Sequence, residues 1–350
     1  MNRTLFPFAL LPSLLTPIAA QAKIDLKFAH QKGDACALVV KQKTQSSIDA
    51  GMEQVEMAVD VTHDVQFKIT DVAADGVLTV AVHVKRIRGS LDIAGHELDF
   101  DTAPADGDKK KDDDGGGGGG GMPRAAQVSA ALGELCSGPF TVKFHDGTLT
   151  EIAGVNKLLK AARKKAGNAA QLLTGLLNDG ALRQIANTAF VSLPKGAVAV
   201  GEGWEAEPVD VKGASVETTR KVKLDLAKAD DDSAEMNLTG TIESFKAPKK
   251  DAKAARKDDD EDDDEADVQR MADAKIKNGK ISGKVAYSRK DGWVLNQSGK
   301  FSMDIEMPNA VTGDDMKIAT KTAISVERSK PGAVESKPAQ PKPATTGGGK

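Results

Sequence analysis

The stretch WVLNQSGKFSMDIEM, residues 293–307, decides the fold. Trp293, Leu295, Gln297, Gly299, Phe301, Met303, Ile305 and Met307 share one parity, while Asn296, Ser298, Lys300, Ser302, Asp304 and Glu306 share the other. Extended backbone sends successive side chains to opposite faces, so this rhythm predicts one long half-buried strand, or two with a bend near Gly299. Upstream, Ile281, Gly283, Val285 and Tyr287 keep the rhythm and reach Trp293 through the turn Arg289-Lys290-Asp291-Gly292. Downstream, Met316, Ile318, Thr320, Thr322, Ile324 and Val326 alternate with Lys317, Lys321, Ser325 and Glu327. The three runs read as an antiparallel meander with one solvated face.

The same grammar runs back through the chain. Leu78, Val80, Val82 and Val84 alternate with Thr79, Ala81, His83 and Lys85 directly after Asp75-Gly76, a strand leaving a tight turn. Residues 55–69 suit one long strand, and Ile24, Leu26 and Phe28 precede a break at Gly33-Asp34. Phe140, Val142 and Phe144 reach Asp146-Gly147 and return through Leu149 and Ile152; Val222, Leu224 and Leu226 turn at 230–233 and return through Met236, Leu238 and Ile242. About ten strands are too many for a small flat sheet, so curling or splitting is expected. One region has helical spacing instead: Val155, Leu158, Leu159, Ala162, then Leu172, Leu173, Leu176, Leu177, then Leu182, Ile185, Ala186, Ala189. Gly167 and Gly180 divide it, Asn168 with Gln171 resembles a capping box, and Asp179 suits a further cap. The expected fold class is therefore mainly β with a short helical insert (α+β): a curved antiparallel sheet or incomplete barrel covered by two or three short helices.

Composition sets the surroundings. The chain has 350 residues, 28% of them charged and 4% aromatic, with two cysteines and a formal charge of -3. Arg3, an apolar run over 5–15 and Ala20-Gln21-Ala22 form a secretory signal with a cleavage site near Ala22. The run is too short to span a bilayer and no later segment is long and apolar enough, so an exported protein is expected, periplasmic or secreted and not transmembrane. Loss of Arg3 moves the charge from -3 to -4, which gives no electrostatic reason to seek DNA, RNA or anionic lipid.

Three segments read as disordered because they cannot bury enough apolar surface to offset the entropy of ordering: a Gly/Asp/Lys loop at 101–124, a charged loop at 246–274 and a Pro/Lys/Gly tail at 329–350. Between them lie a first antiparallel strand set at 23–100, a strand hairpin plus short helices at 125–190, a second strand set at 191–245 and a C-terminal meander of the same sheet at 275–328, with the signal peptide occupying 1–22. The run Gly115 to Gly121 matches a dinucleotide fingerprint only trivially, since it neither follows a strand nor opens a helix. The acidic run Asp258 to Glu265 lacks the spacing of a calcium loop.

No hydrolase or nucleotide-binding signature is present, and His96-Glu97 lacks a second zincin histidine. His30, His63, His83, His96 and His145 are scattered, with His83 and His96 the pair that folding could bring together. No catalytic residue, cofactor or metal is expected, and the protein reads as a non-enzyme. Export permits a disulfide between Cys36 and Cys136, which would close a loop of about 100 residues and stabilise by up to ~4.7 kcal/mol. Two buried thiols are the alternative, and spacing leaves both open. Trp204 and Trp293 are the large anchors; Trp204, with Pro194 and Gly201, reads as a plug fixing the helical region to the second half of the sheet.

The Leu193-Pro194 pair followed by Val198-x-Val200-Gly201-x-x-Trp204, the Asp146-Gly147 strand, the run 65–87 around Asp75-Gly76 and the closing strands over 283–326 around Asp291-Gly292 resemble an exported bacterial family known only as domain of unknown function 6263. The resemblance covers nearly the whole folded body and implies no catalytic residue. The fold expectation carries its own functional one: a curved sheet roofed by amphipathic helices makes an apolar cleft, suited to a lipid or other apolar small molecule, an analogy with envelope lipoprotein carriers at fold level alone. A solid-cored envelope scaffold that binds partners is the alternative, and a hydrolase with an unrecognised site is a distant third.

Overall fold

The computed structural model describes residues 22–49, 51, 54–103, 124–170, 173, 176–212, 217–246, 275–308 and 315–329. Alternating Val, Ile, Leu and Thr place β1 at Ala35–Asp49, β2 at Gln54–Val72, β3 at Leu78–Ile93 and β4 at His96–Asp101. Helix α1 (Ala125–Leu135) leads to the hairpin β5 (Phe140–His145) and β6 (Thr148–Ala153), then to α2 (Val155–Ala166) and α3 (Asp179–Asn187). The second half holds β7 (Gly203–Glu205), β8 (Val209–Lys212), β9 (Glu217–Ala229), β10 (Ser233–Lys246), β11 (Lys275–Ile276), β12 (Lys280–Ser288), β13 (Val294–Pro308) and β14 (Asp315–Arg328). All fourteen strands join one antiparallel sheet in the order β6-β5-β3-β2-β1-β14-β13-β12-β10-β9-β7, with β4, β8 and β11 pairing off this path. The sheet is not closed into a barrel.

Its inner face carries two cores. The larger packs β1, β2, β3 and β5 (Leu38, Val65, Phe67, Val82, Phe140) beneath the apolar faces of the helices, including Leu132, Leu159 and Leu182. The smaller packs Leu224 and Leu226 of β9, Met236 of β10 and Val285 and Tyr287 of β12 against the extended segments bearing Leu26 and Val191. A ring cluster links them: Phe190 and His30 lie 5.2 Å and 4.5 Å from Trp293, and Phe28 lies 6.4 Å from Tyr287. Helix α3 touches both β6 and β8, strands at opposite edges of the sheet. The sheet is thus curled far enough for one nine-residue helix to bridge its two margins.

The turn between β5 and β6 shows how sequence fixes this geometry. Asp146 and Gly147 have φ of 50° and 77°, the doubly positive pair that a two-residue hairpin matching strand twist requires. A Cβ on Gly147 would also lie 2.5 Å from the Val191 carbonyl oxygen and 2.6 Å from Phe28 Cζ.

Several expectations shift. Leu295 does not share the inward parity of its neighbours: Tyr287 pairs with Val294 and Ala286 with Asn296, so Leu295 is the extra residue of a β-bulge and Val294 takes the buried place. β13 is otherwise one strand through Gly299. The segment around Ile24 makes only an isolated bridge to Val198. Helix α1 stands in the region expected to hold only the hairpin before Val155; its Val128, Ala131, Leu132 and Leu135 are buried. Helix α3 is capped by Asn178, whose Oδ1 accepts from the Ala181 amide at 2.8 Å. Asp179 instead opens the helix and pairs with Arg183. Residue Gln171 and almost all of 1–22, 101–124, 246–274 and 329–350 lie outside the described residues.

Candidate functional site

Strand register sets side chains from four strands in rows. One row runs Leu224, Leu238, Gly283, Gly299 across β9, β10, β12 and β13, and the next runs Val222, Gly240, Ile281, Phe301. These rows form the floor of a cleft of about 240 Å³ between the two cores. Its roof is α3. Gly180, Arg183, Gln184 and Asn187, at helical spacing, line the cleft, while Leu182, Ile185 and Ala186 enter the larger core. One short helix therefore closes a core with one stripe and presents a polar stripe to an apolar floor. The walls are the β5–β6 turn at Gly147-Thr148-Leu149 and the segment Phe190-Val191-Ser192, with Ala206 and Glu207 at the rim.

Arg220 of β9 is the odd residue. It shares inward parity with Val222 and Leu224, and its guanidinium Cζ lies 5.1 Å from the centroid of the Phe301 ring on β13. Three strand spacings, about 14 Å along a flat sheet, separate β9 from β13; only a tightly curled floor lets the side chain reach. Its Nε is fully buried with no hydrogen-bond partner. Burial pushes its pKa below the usual arginine range, with no opposing effect from a carboxylate. The other charges at the site are compensated: Arg183 pairs with Asp179, and Glu207 lies 3.9 Å from Lys195. A wider hollow of about 710 Å³ adjoins this cleft through Thr148, Ser192 and Glu207, but charged Asp25, Lys27, Asp146 and Lys195 line it.

The anchors and cysteines singled out in the sequence fall outside the cleft, whereas Gly147 and Gly299 line it. Trp204 is half-buried on β7, packs on the smaller core and donates from Nε1 to the Ser192 carbonyl at 3.0 Å. Pro194 lines the wider hollow, and Gly201, at φ 90°, donates to the Leu226 carbonyl. Trp293 is buried at the centre of the ring cluster. Cys36 and Cys136 are both free thiols. Cys36 pairs in register with Phe67 of β2, and that residue with Val82 of β3, whereas the Cys136 carbonyl meets His83 on β3 at 3.2 Å. Two strand spacings, about 9.6 Å, thus separate Cys36 from β3. Burial pushes both thiols up in pKa.

His83 and His96 are not brought together, since His96 pairs with Ile93 at the far end of β3. No group of three His, Cys, Asp or Glu among the described residues is placed to hold a metal ion. Nor is any helix among the described residues long and apolar enough to cross a membrane. Arg220 was not singled out by motif, yet a signal existed: a charge continuing the inward row of Val222, Leu224 and Leu226.

The sequence profile of the family of unknown function DUF6263 matches residues 75–294, well over half of the chain, and the chain belongs to that family. No curated protein matches it in sequence. Among solved structures, lipovitellin, described for its lipid–protein interactions, is similar over 86% of this chain at 10% identity with a TM-score of 0.36. The chain spans 25% of the length of that lipovitellin chain. DynF from the dynemicin biosynthesis pathway of Micromonospora chersina aligns over 89% of both chains at 8% identity and a TM-score of 0.19.

Proposed function

We propose that this member of the family is an exported, non-catalytic binding protein that holds an apolar ligand, of the lipid class, between α3 and the inner faces of β9, β10, β12 and β13. One observation carries the reading: the strand rows that would form a solid core leave a cleft floored by Val222, Leu224, Leu238, Ile281, Val285 and Phe301. Apolar walls with a few convergent polar groups are the usual make-up of a ligand site. The secretory signal supports a place outside the cytoplasm.

Gly299 supplies the test. A Cβ there would meet nothing closer than 3.8 Å, so a leucine side chain can grow into the cleft without displacing backbone. The neutral fluorophore N-phenyl-1-naphthylamine should bind the purified full-length chain saturably, and Gly299→Leu should abolish that binding while leaving the melting temperature level or higher. A wild-type protein without saturable binding would leave the solid-cored scaffold as the better account.

A further inference from the structure

We infer that the occupant of this cleft is a single-chain amphiphile with an anionic head, a carboxylate or phosphate monoester, whose head sits on Arg220 and whose chain lies along Val222, Leu224, Leu238 and Phe301. The inference deepens the apolar-ligand reading and rests on it.

Arg220 is partly exposed, but its Nε is buried without an acceptor, and an arginine set among inward aliphatic residues favours an anionic partner at that atom. Among the described residues no carboxylate pairs with Arg220, its Nε has no acceptor, and the cleft's other arginine is already neutralised by Asp179. The cleft therefore offers one uncompensated positive charge at the edge of an apolar floor. Phe301 adds orientation. A guanidinium lying over a ring keeps its N–H edges free in their own plane, the arrangement that a carboxylate or phosphate meets with two parallel hydrogen bonds. A neutral apolar ligand would leave that charge unanswered and a cationic one would oppose it.

Volume limits the tail. At about 240 Å³ the cleft lies just below the range of roughly 300–1,000 Å³ typical of drug-sized ligands. That is room for one medium-length chain and not for a two-chain phospholipid. Gln184 and Asn187 of α3 supply neutral polar groups above the floor, consistent with an amphiphile whose two sides differ.

The test is a head-group series at constant tail. Decanoate, decyl phosphate, decanol and decyltrimethylammonium are each titrated against N-phenyl-1-naphthylamine bound to the full-length wild-type chain. We expect at least one anion to displace the probe at a concentration about tenfold or more below that of decanol, with the ammonium weakest; the order of decanoate and decyl phosphate identifies the head. The anion preference should vanish in Arg220→Gln and survive in part in Arg220→Lys. Decanol matching both anions on the wild-type chain overturns the inference while leaving the apolar site standing. An anion preference that persists in Arg220→Gln removes Arg220 from the role. Failure of the probe itself to bind removes site and inference together.

Discussion

Acidification from about pH 6.5 to 4 should destabilise this fold steeply, and two histidines should account for most of the loss. His30 and His63 are only 8% and 6% exposed. His30 lies within the ring cluster, where neither ring nitrogen has a hydrogen bond of normal geometry, and His63 Nδ1 has none either. Desolvation lowers both to about 4 from an ordinary 6.5, opposed in part by Asp34, Asp291 and the Gly292 backbone at His30 and by Asp64 and the Val40 backbone at His63. Above pH 6.5 both imidazoles are neutral in folded and unfolded chains alike, and their contribution to stability is fully present. As the pH falls below that value the unfolded chain takes up protons that the folded chain refuses until about pH 4, so stability is lost across this window. Each group can remove up to about 3.4 kcal/mol, and the steepest combined slope is about 2.7 kcal/mol per pH unit. That is comparable to the whole stability of many domains, about 5–15 kcal/mol.

Urea unfolding at about pH 7.5, 6.5, 5.5 and 4.5 measures the slope, and His30→Phe or His63→Leu should each roughly halve it. The lowered carboxyl of Asp291 does not confuse the result, because its contribution is lost only below the ordinary carboxylate value of 3.8. A flat stability between pH 6.5 and 4.5, or imidazole NMR signals titrating near 6.5, would refute the reasoning.

Two further substitutions probe the frame around the cleft. Gly147→Ala should cost about 2–5 kcal/mol, combining a left-handed backbone with a Cβ driven into Val191 and Phe28. Gly76→Ala, with φ 84° but nothing within 4 Å, should cost only about 1–2 kcal/mol; equal losses by urea unfolding would disprove the contact. Trp293→Ala should remove about 3–5 kcal/mol because the indole is 1% exposed. A loss under about 1 kcal/mol would mean the rings do not join the two cores.

The sheet was legible because its strands obey a period of two over long runs and its turns use Asp-Gly and related pairs that few other structures favour. What escaped was set by tertiary contacts. A bulge at Leu295 flips parity inside an unbroken apolar run, and only the partner strand reveals which of Val294 and Leu295 is the extra residue. The α1 signal was weak because four of its 11 residues are alanine, and its buried Val128, Ala131, Leu132 and Leu135 can be taken for loop residues after a glycine run. Helix α3 was recognised, but its Gly180, Arg183, Gln184 and Asn187 stripe looks like an ordinary solvated face until the sheet curls beneath it.

That curl and the cleft have a common cause in the floor. Gly240 and Gly283 hold inward positions on β10 and β12, where an added Cβ would come within 2.3 Å of a carbonyl oxygen on the neighbouring strand, Lys221 and Ser298 respectively. Strands that approach this closely can bend into a trough. Gly299 shares the inward row of Gly283 on β13, but an added Cβ there would meet nothing closer than the Phe301 ring at 3.8 Å, so its missing side chain leaves volume. Two glycines thus curl the floor and a third keeps it from filling, and the curvature carries Arg220 across to Phe301. Flattening the sheet at Gly283 would therefore separate guanidinium from ring and widen the cleft together.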